Sequence, residues 1–302
     1  MKQNMSYQTD PSQSRFFYTP TPNTLALTLL IFAGTLMQRH LSQAAGTKGN
    51  YAQVNGLKMY YEVHGSDSTN PPLVLLHGAF GFAEGWGAVL TTLAKNRRVI
   101  VVELQGHGHT RDRDQPLSYE QMADDTAELL KKSKIKSADF FGYSMGGTVA
   151  LGVAVRHPEL ARKVAILGST ARSPKDTYEP EFYREYQSLS TDFAPPELKD
   201  PYDKTAPDPV HWPVLVQKVK EMGPAFRGYS NKELKKIKAQ VLIMIGDREG
   251  VRPEHAVEMY RVIPNAQLAI FPGGDHFMIF QRPDKVLATL VPFLDAPLPN
   301  AS

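Results

Sequence analysis

From position 51 onward, short apolar runs alternate with longer stretches in which apolar residues recur every three or four positions, the pattern of strands and helices taken in turn. Residues 51–54 and 57–63 flank Asn55-Gly56, a pair suited to a two-residue type I′ turn, and read as a β-hairpin. The run 72–76 is continuously apolar, as expected of a strand covered on both faces of a parallel sheet. Further strands are predicted at 98–104, immediately before Ser144, and at 163–167, 241–245 and 267–271. Helical spacing predicts helices at 86–94, 118–132, 145–156, 253–262 and 283–294. Ser118 stands where an N-cap belongs, with Gln121 three residues on as in a capping box, and Pro253 falls near a first turn. Strand and helix in alternation imply right-handed crossovers, and therefore an α/β fold with a mostly parallel central sheet flanked by helices.

The alternation breaks between 171 and 238. Prolines at 174, 180, 195, 196, 201, 207, 209, 213 and 224 accompany Phe182, Tyr183, Tyr186, Phe193, Trp212, Phe226 and Tyr229. Proline-bounded, aromatic-rich helices cannot extend a sheet, so this stretch is expected to form an inserted helical lid, dividing a core of 45–170 and 239–302. Residues 1–44 are different again: a polar start, an apolar run at 24–37, then polar residues with Ser42 and Ala44 at small-residue positions. That run is short for a membrane span and matches the hydrophobic region of a signal peptide. The expectation is export to a periplasmic or extracellular space with cleavage near Ala45. The alternatives are an uncleaved anchor, which would bring membrane contact, or a cytoplasmic protein with no working signal.

Composition narrows the possibilities. In a chain of 302 residues with 42% hydrophobic content there is material for one large domain with an insertion. The net charge of +3 gives no nucleic-acid footprint. With no cysteine, disulfides, thiolate metal sites and a cysteine nucleophile are excluded. Nothing in the chain calls for a metal or a cofactor: His107 and His109 lie in a glycine-rich loop without the carboxylates a metal site needs.

The candidate chemistry falls at the carboxyl ends of predicted strands, where open α/β sheets place their sites. Gly142-Tyr143-Ser144-Met145-Gly146-Gly147 reads as a sharp strand-to-helix turn carrying one serine. An acidic cluster, Gly246-Asp247-Arg248-Glu249, follows a later strand, and Asp275-His276 follows the last. A serine hydroxyl needs an imidazole to take its proton, and the imidazole needs a carboxylate to fix its tautomer. The order serine, acid, histidine supplies all three types.

With His77-Gly78 after one strand, Gly106-His107-Gly108 after the next, the Ser144 turn, the Gly246 turn before Pro253 and Asp275-His276, the chain resembles the α/β-hydrolase superfamily over about 51–294. The resemblance implies Ser144 as nucleophile and His276 as general base. By register it places Glu249 at the acid position, where the family usually has aspartate, with Asp247 two residues earlier as the alternative. It implies an oxyanion hole built from the backbone N–H groups of Met145 and Ala79, Phe80 being the alternative to Ala79. His77 is then a structural histidine pinning a glycine turn, and Trp86 and the insertion aromatics are core residues. The expected activity is hydrolysis of a small, apolar carboxylic ester. Lactones, amides, carbon–carbon bonds and perhydrolysis remain open on the same scaffold, as does a non-catalytic ligand-binding protein.

Overall fold

The computed structural model describes residues 49–298; the expectations for the N-terminal segment lie outside them. Eight strands form one sheet: β1 (Asn50–Val54), β2 (Leu57–His64), β3 (Leu73–Leu76), β4 (Val99–Val102), β5 (Ala138–Tyr143), β6 (Ala161–Leu167), β7 (Gln240–Gly246) and β8 (Ala266–Phe271), in the order β1-β2-β4-β3-β5-β6-β7-β8. β2 runs antiparallel to β1 and β4, and the strands from β4 to β8 are mutually parallel. At the hairpin, Asn55 and Gly56 both take positive φ, 46° and 81°, as a type I′ turn demands.

Strand side chains alternate between two cores. Val74 and Leu76 of β3, Phe140 of β5 and Ile166 of β6 join one buried cluster, while Leu73, Leu75, Phe141 and Leu167 join the other. Since successive residues of a strand point to opposite faces, a strand apolar at every position is what a sheet covered on both sides requires. Covering it are α1 (Gly87–Leu93), α2 (Tyr119–Lys132), α3 (Met145–Arg156) and, after β7, α9 (Pro253–Val262), α10 (Met278–Gln281) and α11 (Pro283–Asp295). The predicted start of α1 at Trp86 is corrected: a 3-10 turn spans Ala83–Trp86 and the α-helix begins one residue later. Ser118 caps α2 by accepting the Gln121 N–H, but the Gln121 side chain turns forward to donate to Asp125 and does not accept the Ser118 N–H, so the capping box is half formed.

Between β6 and β7 lie α4 (Pro174–Thr177), α5 (Pro180–Gln187), α6 (Pro196–Thr205), α7 (Trp212–Ala225) and α8 (Asn231–Leu234), four of the five with a proline in their first two positions. Pinned φ and the missing N–H make proline a helix starter, which is why these short helices begin where they do. This insertion is tied to the core at Asp112. Its carboxylate accepts from Lys218 (2.6 Å) and His211 (2.8 Å) of the insertion and from Gln105 (2.7 Å) of the core. Burial pushes the Asp112 pKa up, but these donors outweigh it and hold the carboxyl below its ordinary value. Near the amino end of β6, fully buried Lys163 donates to the carbonyls of Phe293 (2.6 Å), Leu294 (3.1 Å) and Ala296, capping the C-terminus of α11.

Candidate active site

Ser144 sits between β5 and α3 at φ 53°, ψ −119°, a conformation costly to any residue with a Cβ. The turn is forced by close packing. A Cβ on Gly146 would lie 2.0 Å from the Leu76 carbonyl oxygen, and one on Gly142 would lie 2.3 Å from that of Gly146, so both positions must be glycine. The Ser144 N–H donates to Leu167 (2.8 Å), and the Ser169 hydroxyl donates to the Ser144 carbonyl (2.9 Å), fixing the turn from below.

His276, in the loop after β8, bridges two of the predicted residues. Its Nε2 is 2.9 Å from Ser144 Oγ and its Nδ1 is 2.6 Å from Glu249 Oε1. Burial alone would lower the His276 pKa, but the charge and hydrogen bond of Glu249 more than offset it and raise the value above the ordinary imidazole range. Glu249 Oε1 also accepts the Gly250 N–H at 2.8 Å, so one oxygen serves two donors. The loop that carries Glu249 is fastened to the insertion, where Glu179 N–H donates to Gly250 and Arg252 N–H to Thr177. Asp247, the alternative acid, points elsewhere: it is exposed, and Oδ1 accepts the Gly273 N–H at 2.6 Å. Asp275 accepts from the Phe277 N–H (2.9 Å) and from Gln281 (3.2 Å), organising the turn into α10.

Facing Ser144 is the loop after β3. A Cβ on Gly78 would come within 3.2 Å of that of Ser144, so this loop packs directly on the serine. His77 is buried; Nε2 accepts the Leu104 N–H (3.1 Å) and Nδ1 therefore donates to the Gly78 carbonyl (2.8 Å). Burial pushes its pKa down to about 3, so it is neutral, and both ring nitrogens are taken up by the backbone. His107, likewise buried, donates from Nδ1 to Gln105. His109 is held by Glu103, a buried carboxylate that also accepts the Ala83 N–H. Among the described residues no group of three or more histidine or acidic side chains is arranged to hold a metal. Met145, at the first position of α3, has no earlier helical carbonyl for its N–H, and both it and Ala79 line the cavity over Ser144, together with Phe80, whose φ is 62°.

That cavity has a volume of about 430 Å³. One wall carries Tyr119, Val219, Met222 and Leu198 from the cluster on one face of the sheet, the other Trp86, Tyr143, Ile279 and Phe280 from the second cluster. The aromatics divide. Trp212 is a core residue, 1% exposed, its Nε1 donating to Phe193 and its ring against Phe80, and Trp86 is buried in the second cluster as expected while also lining the cavity, whereas Phe182, Tyr186 and Phe193 line the cavity and so correct the core expectation. Sequence reasoning also missed Tyr143, whose hydroxyl donates to the His276 carbonyl (2.9 Å), and Gly168, where a Cβ would sit 2.7 Å from Glu249 Oε2 and 3.2 Å from His276 Nδ1. Tyr143 was visible in the elbow motif, but its partner is 133 residues away.

The chain matches the alpha/beta hydrolase family over residues 73–289, most of its length. It belongs to that family. This hydrolase is 28% identical to the human serine hydrolase BPHL over 243 residues, 77% of this chain and 82% of that protein. It is 29% identical over 150 residues to an sn-1-specific diacylglycerol lipase of Xenopus tropicalis, an alignment covering 49% of this chain. The chain spans about half of that lipase, 47% of its length. Among solved structures, an enol-lactonase from Burkholderia xenovorans LB400 has a TM-score of 0.66 at 24% identity, covering 82% of this chain and 100% of that one, a likeness of fold.

Proposed function

We propose that this hydrolase cleaves carboxylic esters through a covalent acyl-enzyme on Ser144. The observation that carries the reading is the single imidazole of His276 placed between Ser144 Oγ and Glu249 Oε1 at hydrogen-bond distance from both. In the mechanism, Ser144 Oγ attacks the ester carbonyl carbon while His276 Nε2 takes the hydroxyl proton. Glu249 accepts the Nδ1–H, keeps Nε2 available as acceptor and stabilises the imidazolium. The tetrahedral oxyanion is received by the N–H groups of Met145 and Ala79, donors of a kind worth on the order of a hundredfold or more in rate. His276 then returns the proton to the departing alcohol. A water molecule, deprotonated by the same nitrogen, hydrolyses the acyl-enzyme.

Two features favour an uncharged, largely apolar substrate. Glu179, Glu181, Glu185 and Asp275 line the cavity against a single cation, Arg248, so an anionic substrate meets excess negative charge. The walls otherwise consist mainly of aromatic and aliphatic side chains, suited to an apolar acyl or alcohol group. The names of two similar proteins, a diacylglycerol lipase and an enol-lactonase, also concern oxygen esters. Residues 171–238 act as the lid over this pocket, and no cofactor enters the mechanism. A fluorophosphonate probe followed by peptide mass spectrometry tests the reading, run beside panels of esters, lactones and amides. Labelling at Ser144 with ester turnover is expected; labelling only elsewhere, or full ester turnover by Ser144→Ala, would overturn it.

A further inference from the structure

Four tyrosines line the cavity, and their hydroxyls fall into two groups. Those of Tyr143 and Tyr186 are engaged in the fold, the first donating to the His276 carbonyl and the second donating to Val219 while accepting the Gly223 N–H. Those of Tyr119 and Tyr178 have no hydrogen-bond partner among the described residues. Tyr119 is 4% exposed, yet its hydroxyl still reaches open space, unlike the buried indole nitrogen of Trp86. Tyr178 is likewise not sealed, and its ring lies 5.2 Å from that of Phe182, which in turn lies 6.1 Å from His276. Packing does not require either hydroxyl: the Tyr119 ring rests on Phe226 and the Tyr178 ring on Phe182 and Tyr186, contacts phenylalanine would make equally well.

A buried hydroxyl without a partner is destabilising, and a purely alkyl substrate would leave both in that state. A phenol gives its proton readily in a hydrogen bond and keeps it otherwise; burial pushes the pKa of Tyr119 and Tyr178 well above the ordinary value, so both stay donors. We propose that Tyr119 and Tyr178 select substrates carrying a neutral hydrogen-bond-accepting oxygen, a carbonyl, ether or hydroxyl, in the portion held between the sheet and the helical insertion. The inference rests on the Ser144 reading and adds a substrate class to it. Simple alkanoate esters fill the same space without satisfying either phenol, and they are turned over less well for that reason. The acidic lining of Glu179, Glu181 and Glu185 makes the same selection against carboxylates as acceptors.

The test uses matched ester pairs in which one methylene remote from the scissile bond is replaced by oxygen or carbonyl, once in the acyl group and once in the alcohol. The kcat/KM ratio within each pair is measured for wild type, Tyr119→Phe, Tyr178→Phe and the double variant, with thermal unfolding to check the fold. Wild type should favour the oxygenated member of one pair by roughly three- to tenfold, the reach of one neutral hydrogen bond. The pair concerned tells whether the acceptor lies on the acyl or the alcohol side. At least one single variant should bring that ratio close to one. A wild-type ratio at or below one in both pairs, or a preference untouched in the double variant, overturns the proposal. Fluorophosphonate labelling of wild-type Ser144 separates the two failures: labelling with a flat ratio sinks only the phenol inference, and no labelling sinks the hydrolase mechanism beneath it.

Discussion

Replacing Glu249 by glutamine isolates the carboxylate charge behind His276. Glu249 Oε1 already accepts two N–H groups, from Gly250 at 2.8 Å and from His276 at 2.6 Å. In Glu249→Gln the amide oxygen is drawn to that same spot, because turning the amide NH2 there would set donor against donor at Gly250. The Nδ1–H tautomer therefore survives, and the principal loss is the attraction between the carboxylate and the imidazolium formed in the transition state. For charges about 4 Å apart at an effective dielectric of about 20, that attraction is about 4 kcal/mol, roughly a thousandfold in kcat. A flipped amide would force the wrong tautomer and deepen the loss toward about ten-thousandfold, the serine-protease precedent. In the proposed mechanism the neutral imidazole is the active form, so kcat/KM should rise as pH climbs through the His276 pKa, which Glu249 holds above its ordinary value. Removing the charge should shift that acid limb to lower pH. Glu249→Asp should keep measurable activity. Asp247→Asn should cost no more than about twofold, since asparagine can still accept from Gly273. The assay is steady-state hydrolysis of the best ester across pH, with circular dichroism on each variant. A dead Asp247→Asn beside a near-normal Glu249→Gln would refute the reasoning and make Asp247 the acid.

Two further predictions concern the scaffold. Lys163→Met should remove the charged donor from the carbonyls of Phe293, Leu294 and Ala296, lowering stability by about 2 kcal/mol in urea unfolding; an unchanged midpoint would show that the cap contributes nothing. Asp112→Asn should destabilise the protein by about 1–2 kcal/mol at pH 7. The Asp112 pKa is lowered on folding, so its contribution is present above the unfolded carboxyl value and lost as pH falls through the folded one. The gap in Tm between wild type and variant should close below about pH 4, and a gap that persists in acid would exclude this ionisation as its source.

Patterns local to one element survived the passage from sequence to structure. The hairpin at Asn55-Gly56, the elbow at Ser144 and the proline start of α9 each depend on a few neighbouring residues, and each stands where its motif put it. The family resemblance put Glu249 ahead of Asp247 by register, and it is Glu249 that lies against His276. What sequence hid is pairing across distance. Ser169 under the Ser144 carbonyl, Tyr143 on His276 and the Asp112 junction link segments separated by 25 to 133 residues, and no local spacing announces them. Gln121 failed for the opposite reason: Asp125, one turn ahead, competes for the same side chain. Among the described residues no helix is long and apolar enough to cross a membrane, which leaves the reading of the first 44 residues where the sequence put it.

The backbone at Ser144 has an evolutionary consequence. At φ 53° a side chain bearing a Cβ costs on the order of 1–3 kcal/mol, a sizeable fraction of the net stability of a typical domain, and glycine there would be relieved of most of it. A lineage under pressure for thermal robustness alone would drift toward losing the serine. Under the proposed mechanism a serine held in so unfavourable a posture is held there for turnover, and relatives that have abandoned chemistry should be found with glycine at the elbow.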